Sequence, residues 1–252
     1  MHWKWAAASV RGTSHDRTGT RLQDAYACYA PSHSLAPFFT IVSDGAGSAS
    51  FGGQGASLAC RSVVVRARSF FARSQSLPST SEIEDWVDGT RDLISAVATR
   101  RKIPTREFAA TLVCAIAGPG ELIVAHIGDG CVVAQDGSTG EWIAPSWPQH
   151  GEYASTTFFI TDAAELRLRI MRVPMQVASL AIFSDGIERL VLDMAAMRPF
   201  GGFFDSVIRP ILATPGVGRD PMLSAQLRAY LSSETVNART DDDKTLILAA
   251  RR

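Results

Sequence analysis

The sequence lacks an excess of either charge, since 25 lysines and arginines stand against 25 aspartates and glutamates. No overall field therefore draws it to nucleic acid or to an anionic membrane. It has no run of 18 apolar residues, and MHWKWAAASV at its start has neither the apolar core nor the cleavage site of a signal peptide. A soluble, cytoplasmic protein is expected. Cys28, Cys60, Cys114 and Cys131 form no C-x-x-C pair, and each lies in or beside an apolar segment, which predicts buried reduced thiols in place of disulfides or a zinc site. No long linker or low-complexity stretch interrupts residues 1–252, so one domain is expected.

Short apolar runs bounded by turn residues predict strands at 25–29, 38–42, 111–117, 121–127, 177–183 and 245–250. Several are apolar at consecutive positions, as in strands covered on both faces. Over 164–173, Leu166, Leu168 and Ile170 alternate with Arg167 and Arg169, the pattern of a strand with one wet face. Helices are predicted over 54–72, 187–197 and 203–213, and over 81–101 with Ser81 and Glu84 in capping-box spacing. The last of these puts Ile83, Trp86, Val87, Thr90, Ile94 and Val97 on one face. Asp220-Pro221 is an N-cap and first-turn pair for a further helix carrying Leu223, Leu227, Tyr230 and Leu231. This order departs from simple βαβ alternation and predicts an α+β fold with largely antiparallel sheets. Residues 144–163, with two prolines and weak periodicity, are expected to form a surface loop or flap.

The glycine-rich stretch IVSDGAGSASFGGQGAS, residues 41–57, invites a phosphate-loop reading that its spacing does not support. After Gly45 and Gly47, Ser50 stands where a dinucleotide fingerprint needs its third glycine. There is no lysine between Lys4 and Lys102 to complete a Walker loop. An EF-hand starting at Asp44 would need oxygen ligands where Ala46 and Gly55 stand, and no G-x-S-x-G elbow occurs.

What recurs is the way strands end. FFTIVSDG delivers Asp44, LIVAHIGDG delivers Asp129 and SLAIFSDG delivers Asp185; Asp241, Asp242 and Asp243 precede the final strand, and Asp24 precedes an early one. Carboxylates at strand ends can converge on one rim, where their repulsion is relieved by divalent cations. An oxygen-only donor set favours Mg²⁺ or Mn²⁺ over zinc. Asp-Gly is also a common turn dipeptide, and the residues alone leave both readings open.

Taken in order, TSHDRTGTRLQDAY, VSDGAGSASFGGQGAS, FAATLVCAI, AHIGDGCVV, FSDGIERL and RTDDDKTLIL resemble the metal-dependent serine/threonine protein phosphatases of the PPM, or type 2C, class. The resemblance runs from end to end and is greatest to a compact bacterial subgroup. It implies a four-layer α-β-β-α sandwich of two mostly antiparallel sheets flanked by helices. It also implies phosphoserine and phosphothreonine hydrolysis by a water or hydroxide activated between two divalent cations. In that scheme Asp44 bridges the two ions, the Gly45 carbonyl ligates one, and Asp185 and Asp242 hold the other. Asp24 acts through metal-bound water, and Asp129 shares a weaker third ion with Asp185. Implied partners are phosphorylated proteins, a serine/threonine kinase and a von Willebrand A-domain protein encoded nearby.

The match has departures. Gly19 stands where the class commonly has an arginine for the substrate phosphate, leaving His15, Arg17 or Arg21 for that task. Gln23 replaces a glutamate, Gly130-Cys131 replaces Ser-Arg, and Ala109-Ala110-Thr111 replaces a Gly-Thr-Thr element. A phosphatase-like module that binds a kinase or phosphoprotein with little turnover is the alternative function. A nucleotide-binding α/β protein is a third.

Overall fold

The computed structural model describes residues 2–31, 36–149, 157–162 and 166–252. Along the chain run β1 (Trp3–Val10), α1 (Thr13–Thr18), β2 (Ala25–Tyr29), β3 (Phe38–Ser43), α2 (Gly52–Phe71) and α3 (Thr80–Arg101). Then come β4 (Leu112–Ala117), β5 (Glu121–Ile127), β6 (Cys131–Asp136), β7 (Trp142–Ser146), β8 (Arg169–Pro174) and β9 (Val177–Phe183). The remainder is α4 (Glu188–Val191), β10 (Leu192–Asp193), β11 (Arg198–Pro199), α5 (Gly201–Ala213), β12 (Gly218–Arg219), α6 (Pro221–Leu231), α7 (Glu234–Asn237) and β13 (Lys244–Arg251). One sheet has the order β12-β1-β13-β9-β6-β7 and the other β2-β3-β4-β5-β8. Every pairing in the two sheets is antiparallel except the short β1–β12 contact.

The consecutive apolar residues of the strands serve two cores at once. In β13, Ile247 and Ala249 face the opposite sheet with Phe38, Val42 and Val113, while Leu246, Leu248 and Ala250 pack on Phe204 and Ile208 of α5 and Leu227 of α6. In the other sheet, Phe39, Ile41 and Ile116 pack against Val63 of α2 and Ile83, Trp86 and Ile94 of α3. Each fully buried side chain of this size contributes about 2 kcal/mol. The result is four layers, helices on sheet on sheet on helices, as the resemblance implied. Among the described residues, no helix is long and apolar enough to cross a membrane.

Several local expectations are corrected. α3 is capped by Ser79, whose hydroxyl accepts from the Glu82 amide at 3.2 Å; the Ser-x-x-Glu spacing that operates begins two residues before Ser81. The predicted helix at 187–197 is one turn, Glu188–Val191, followed by the small β10–β11 ribbon. β8 begins at Arg169, later than the alternation at 164–173 suggests, and residues 163–165 lie outside the described residues. Of the expected flap, 144–146 belong to β7, and 150–156 lie outside the described residues. Tyr230 is exposed and not part of the face formed by Leu227 and Leu231. The Asp220 cap holds, its carboxylate accepting from the Leu223 amide with Pro221 at the start of α6. The four cysteines are free, with Cys28 half-buried and the other three buried.

Candidate metal centre

Four strand ends meet at one end of the sandwich. Asp44 follows β3 directly, Asp129 sits in the turn between β5 and β6, Asp185 follows Ser184 after β9, and Asp242 lies two residues before β13. β3 and β5 belong to one sheet, β9 and β13 to the other, so the carboxylates face each other across the sandwich. Asp44, Gly45, Asp129, Asp185 and Asp242 line a single cleft of about 420 Å³, together with His15, Gln23 and Thr111.

The glycines of the opening stretch act through close backbone approach. A Cβ on Gly45 would stand 2.2 Å from the Gly52 carbonyl carbon, and one on Gly55 would stand 2.0 Å from the Phe108 oxygen. The strand-to-helix turn therefore folds back tightly on itself and leaves Asp44 at the rim. Thr111 pins this aspartate on both sides: its amide donates to the Asp44 carbonyl at 2.8 Å, and its hydroxyl accepts from the Asp44 amide at 2.9 Å.

The carboxylates are short of donors. Asp44 and Asp185 stand near enough that each raises the other's cost of carrying charge, a repulsion that a proton or cation relieves. Asp185 Oδ1 and Asp24 Oδ1 are buried with no hydrogen-bond partner. Burial, then the charges of Asp129 and Asp242, pushes Asp185 up to about 7. Burial also raises Asp44, helped by the charges of Asp24 and Asp185. Asp129 is pushed up to about 6, by burial first and by the charges of Glu188 and Asp242.

Asp24 lies behind the cleft wall. Its Oδ2 accepts from the Ser184 hydroxyl at 2.7 Å and from the Thr245 hydroxyl at 2.6 Å. Burial outweighs these two bonds and raises its carboxyl to about 7.

Divalent cations fit this donor set. The groups are oxygens, two of them buried and unpartnered, and their mutual repulsion is what a cation relieves. Among the described residues, no three such side chains close on one point as a ready-made cage. Carboxylates that repel one another draw together only when a cation compensates them.

Of the three residues considered for substrate phosphate, His15 lines the cleft. Arg17 is exposed and ion-paired with Asp241 at 2.7 Å, and neither it nor the exposed Arg21 contributes to the lining. From the flap, Thr157 and Phe159 reach the cleft wall. Sequence reasoning did not identify Ser184, Thr245, Thr111 or the part played by Asp243. A signal existed for one of them: serine precedes Asp-Gly in both VSDG and FSDG, and Ser184 holds Asp24 while Ser43 donates to the Thr111 carbonyl.

The protein phosphatase 2C family model matches residues 11–232, and the chain belongs to that family. It is thereby an enzyme of the protein serine/threonine phosphatase class. Serine/threonine-protein phosphatase 3 of Escherichia coli (strain K12) is 35% identical over 252 residues, covering 99% of this chain and 98% of the relative. The serine/threonine phosphatase PstP/Ppp of Mycobacterium tuberculosis superposes with a TM-score of 0.66 at 16% identity, covering 99% of each chain. A second structure is similar at a TM-score of 0.65 and 15% identity, over 99% of this chain and 98% of that one. It is the catalytic domain of PstP in complex with two manganese ions.

Proposed function

We propose that this chain, as one catalytic domain over residues 1–252, removes phosphate from phosphoserine and phosphothreonine of proteins with the help of two Mg²⁺ or Mn²⁺ ions. The observation that carries the reading is the convergence of Asp44, Asp129, Asp185 and Asp242 on one cleft, with Asp185 Oδ1 buried and unpartnered. Asp44 would bridge the ions with the Gly45 carbonyl on one of them, Asp185 and Asp242 would hold the other, and Asp129 would share a weaker third with Asp185. Bound there, the ions supply a water-derived nucleophile at neutral pH and offset charge on the phosphoryl group. The two ions of the manganese-bound PstP domain support this count.

The chain's own residues do the rest. Thr111 fixes the Asp44 backbone, and the Ser184 and Thr245 hydroxyls orient Asp24 so that its Oδ1 stays available for bound water. His15 is the substrate contact of choice over Arg17, which Asp241 already engages, and over the exposed Arg21. On this reading the protein acts in the cytoplasm, a serine/threonine kinase is the opposing enzyme, and a von Willebrand A-domain protein is a further partner.

The test is phosphate release from phosphoserine and phosphothreonine peptides with Mn²⁺, with Mg²⁺ and with EDTA. Metal-dependent release is expected. Absence of release with either ion would overturn the reading.

A further inference from the structure

The cleft holds one side chain whose placement the metal centre does not account for. His15 sits on α1, and its Nδ1 lies 2.9 Å from Asp243 Oδ1. Asp243 is 1% exposed. The same carboxylate accepts from the Gly12 amide at 2.7 Å and from the Gln23 amide at 2.6 Å, so backbone donors fix it in place. In the doubly protonated ring, Nδ1–H is given to the buried Asp243 carboxylate, which fixes the ring's orientation, and Nε2–H is the proton left for the cleft.

The other described lining residues cannot do what such a nitrogen can. They are the aspartates assigned to ions, the hydroxyls of Ser14, Ser48, Thr111 and Thr157, the Gln23 amide, and glycine or apolar groups. The leaving group of a phosphoserine is a strongly basic alkoxide that must receive a proton as its bond to phosphorus breaks. The geometry points to His15 as the catalytic acid for that step, with Asp243 as its positioning residue; this rests on the phosphatase reading above. In the step, water forms the new P–O bond, and the P–Oγ bond breaks with its electron pair staying on Oγ. The Nε2 proton passes to Oγ to give the free hydroxyl. The imidazole then regains a proton from solvent, matching the one the attacking water gives up.

A role in proton donation differs measurably from a contact to phosphate charge. Losing a charge contact slows every substrate by a similar factor, whereas losing an acid hurts most where the leaving group is most basic. The experiment compares His15→Gln with the unaltered protein in Mn²⁺ on a phosphoserine peptide and a series of aryl phosphates of decreasing leaving-group pKa. The kcat on the phosphopeptide is expected to fall about 100-fold or more. The loss should shrink progressively along the series, so that the logarithm of rate depends more steeply on leaving-group pKa in the variant. Asp243→Asn should steepen it in the same direction but less. A uniform loss across the series in an active unaltered protein would overturn the assignment of His15 alone. An inactive unaltered protein would overturn it together with the phosphatase reading.

Discussion

Asp243 and Asp185 stand on the same rim of the sandwich in opposite conditions. Asp243 is sealed from solvent and receives the Gly12 and Gln23 amides and the His15 ring. Asp185 has one buried oxygen with no partner and faces the charges of Asp129 and Asp242. Asp24 lies between these cases, with Oδ2 held by two hydroxyls and Oδ1 bare. A carboxylate saturated by donors is part of the frame; one starved of them is held in readiness for a cation. The number of donors, more than the depth of burial, separates scaffold from ligand here.

Substitutions can break this comparison, and the largest effect is on turnover. Asp44→Asn or Asp185→Asn should lower metal-dependent phosphate release by about 1,000-fold or more, read as initial rates in Mn²⁺. Asp243→Ala should cost stability as well as releasing the His15 ring. It strands two backbone amides and a ring nitrogen, costing about 3 kcal/mol in urea unfolding. Asp24→Asn, which alters a group behind the cleft wall, should weaken Mn²⁺ activation by about 10- to 100-fold, measured as the Mn²⁺ concentration giving half-maximal rate.

The smallest effect is a pH slope in the ion-free protein. Asp24 and Asp185 titrate near 7 when folded against 3.8 for the free side chain, so the folded state binds more protons than the unfolded state between those values. Their contribution to stability is therefore complete below about pH 4 and is lost as pH rises towards 7, by on the order of 1 kcal/mol per unit. His126, pushed down to about 3 by burial and by the Arg169 charge, acts in the opposite sense, since stability falls as pH drops from 6.5 towards 3. Urea unfolding in EDTA across pH 4 to 7.5 should show a shallower fall in Asp185→Asn than in the unaltered protein, a difference that cancels His126. Mn²⁺ should flatten the slope in the unaltered protein.

Three of the four ligand strands were legible because each carries a period-breaking apolar run that stops at Asp-Gly. Burial on both faces demands that run, and the rim demands its end, so FFTIVSDG, LIVAHIGDG and SLAIFSDG declare both at once. β1 was not legible: WKWAAASV is rich in alanine, a helix former, and becomes a strand because pairing with β13 on one side and burial between layers override local preference. β6 was hidden because CVVAQD has only four apolar residues before its polar end. The segment 187–197 has helical content, yet the chain leaves the helix at Leu192 to form the β10–β11 ribbon. At the site, the aspartates could be read from spacing, whereas the pairing of Asp243 with His15 and of Thr245 with Asp24 joins residues more than 200 positions apart. Only the assembled sheets bring them together.

The central claim is that Asp44 and its neighbours are held in mutual repulsion for a divalent cation. Thermal unfolding at pH 7.5, in EDTA and in excess Mn²⁺, tests it most directly in the unaltered protein and Asp44→Asn. Mn²⁺ at about 100 times its dissociation constant should stabilise the unaltered protein by about 2.7 kcal/mol. Asp44→Asn should be as stable as the unaltered protein in EDTA, or more so, and should gain little from Mn²⁺. An unaltered protein indifferent to Mn²⁺, or an Asp44→Asn variant destabilised in EDTA, would contradict the account.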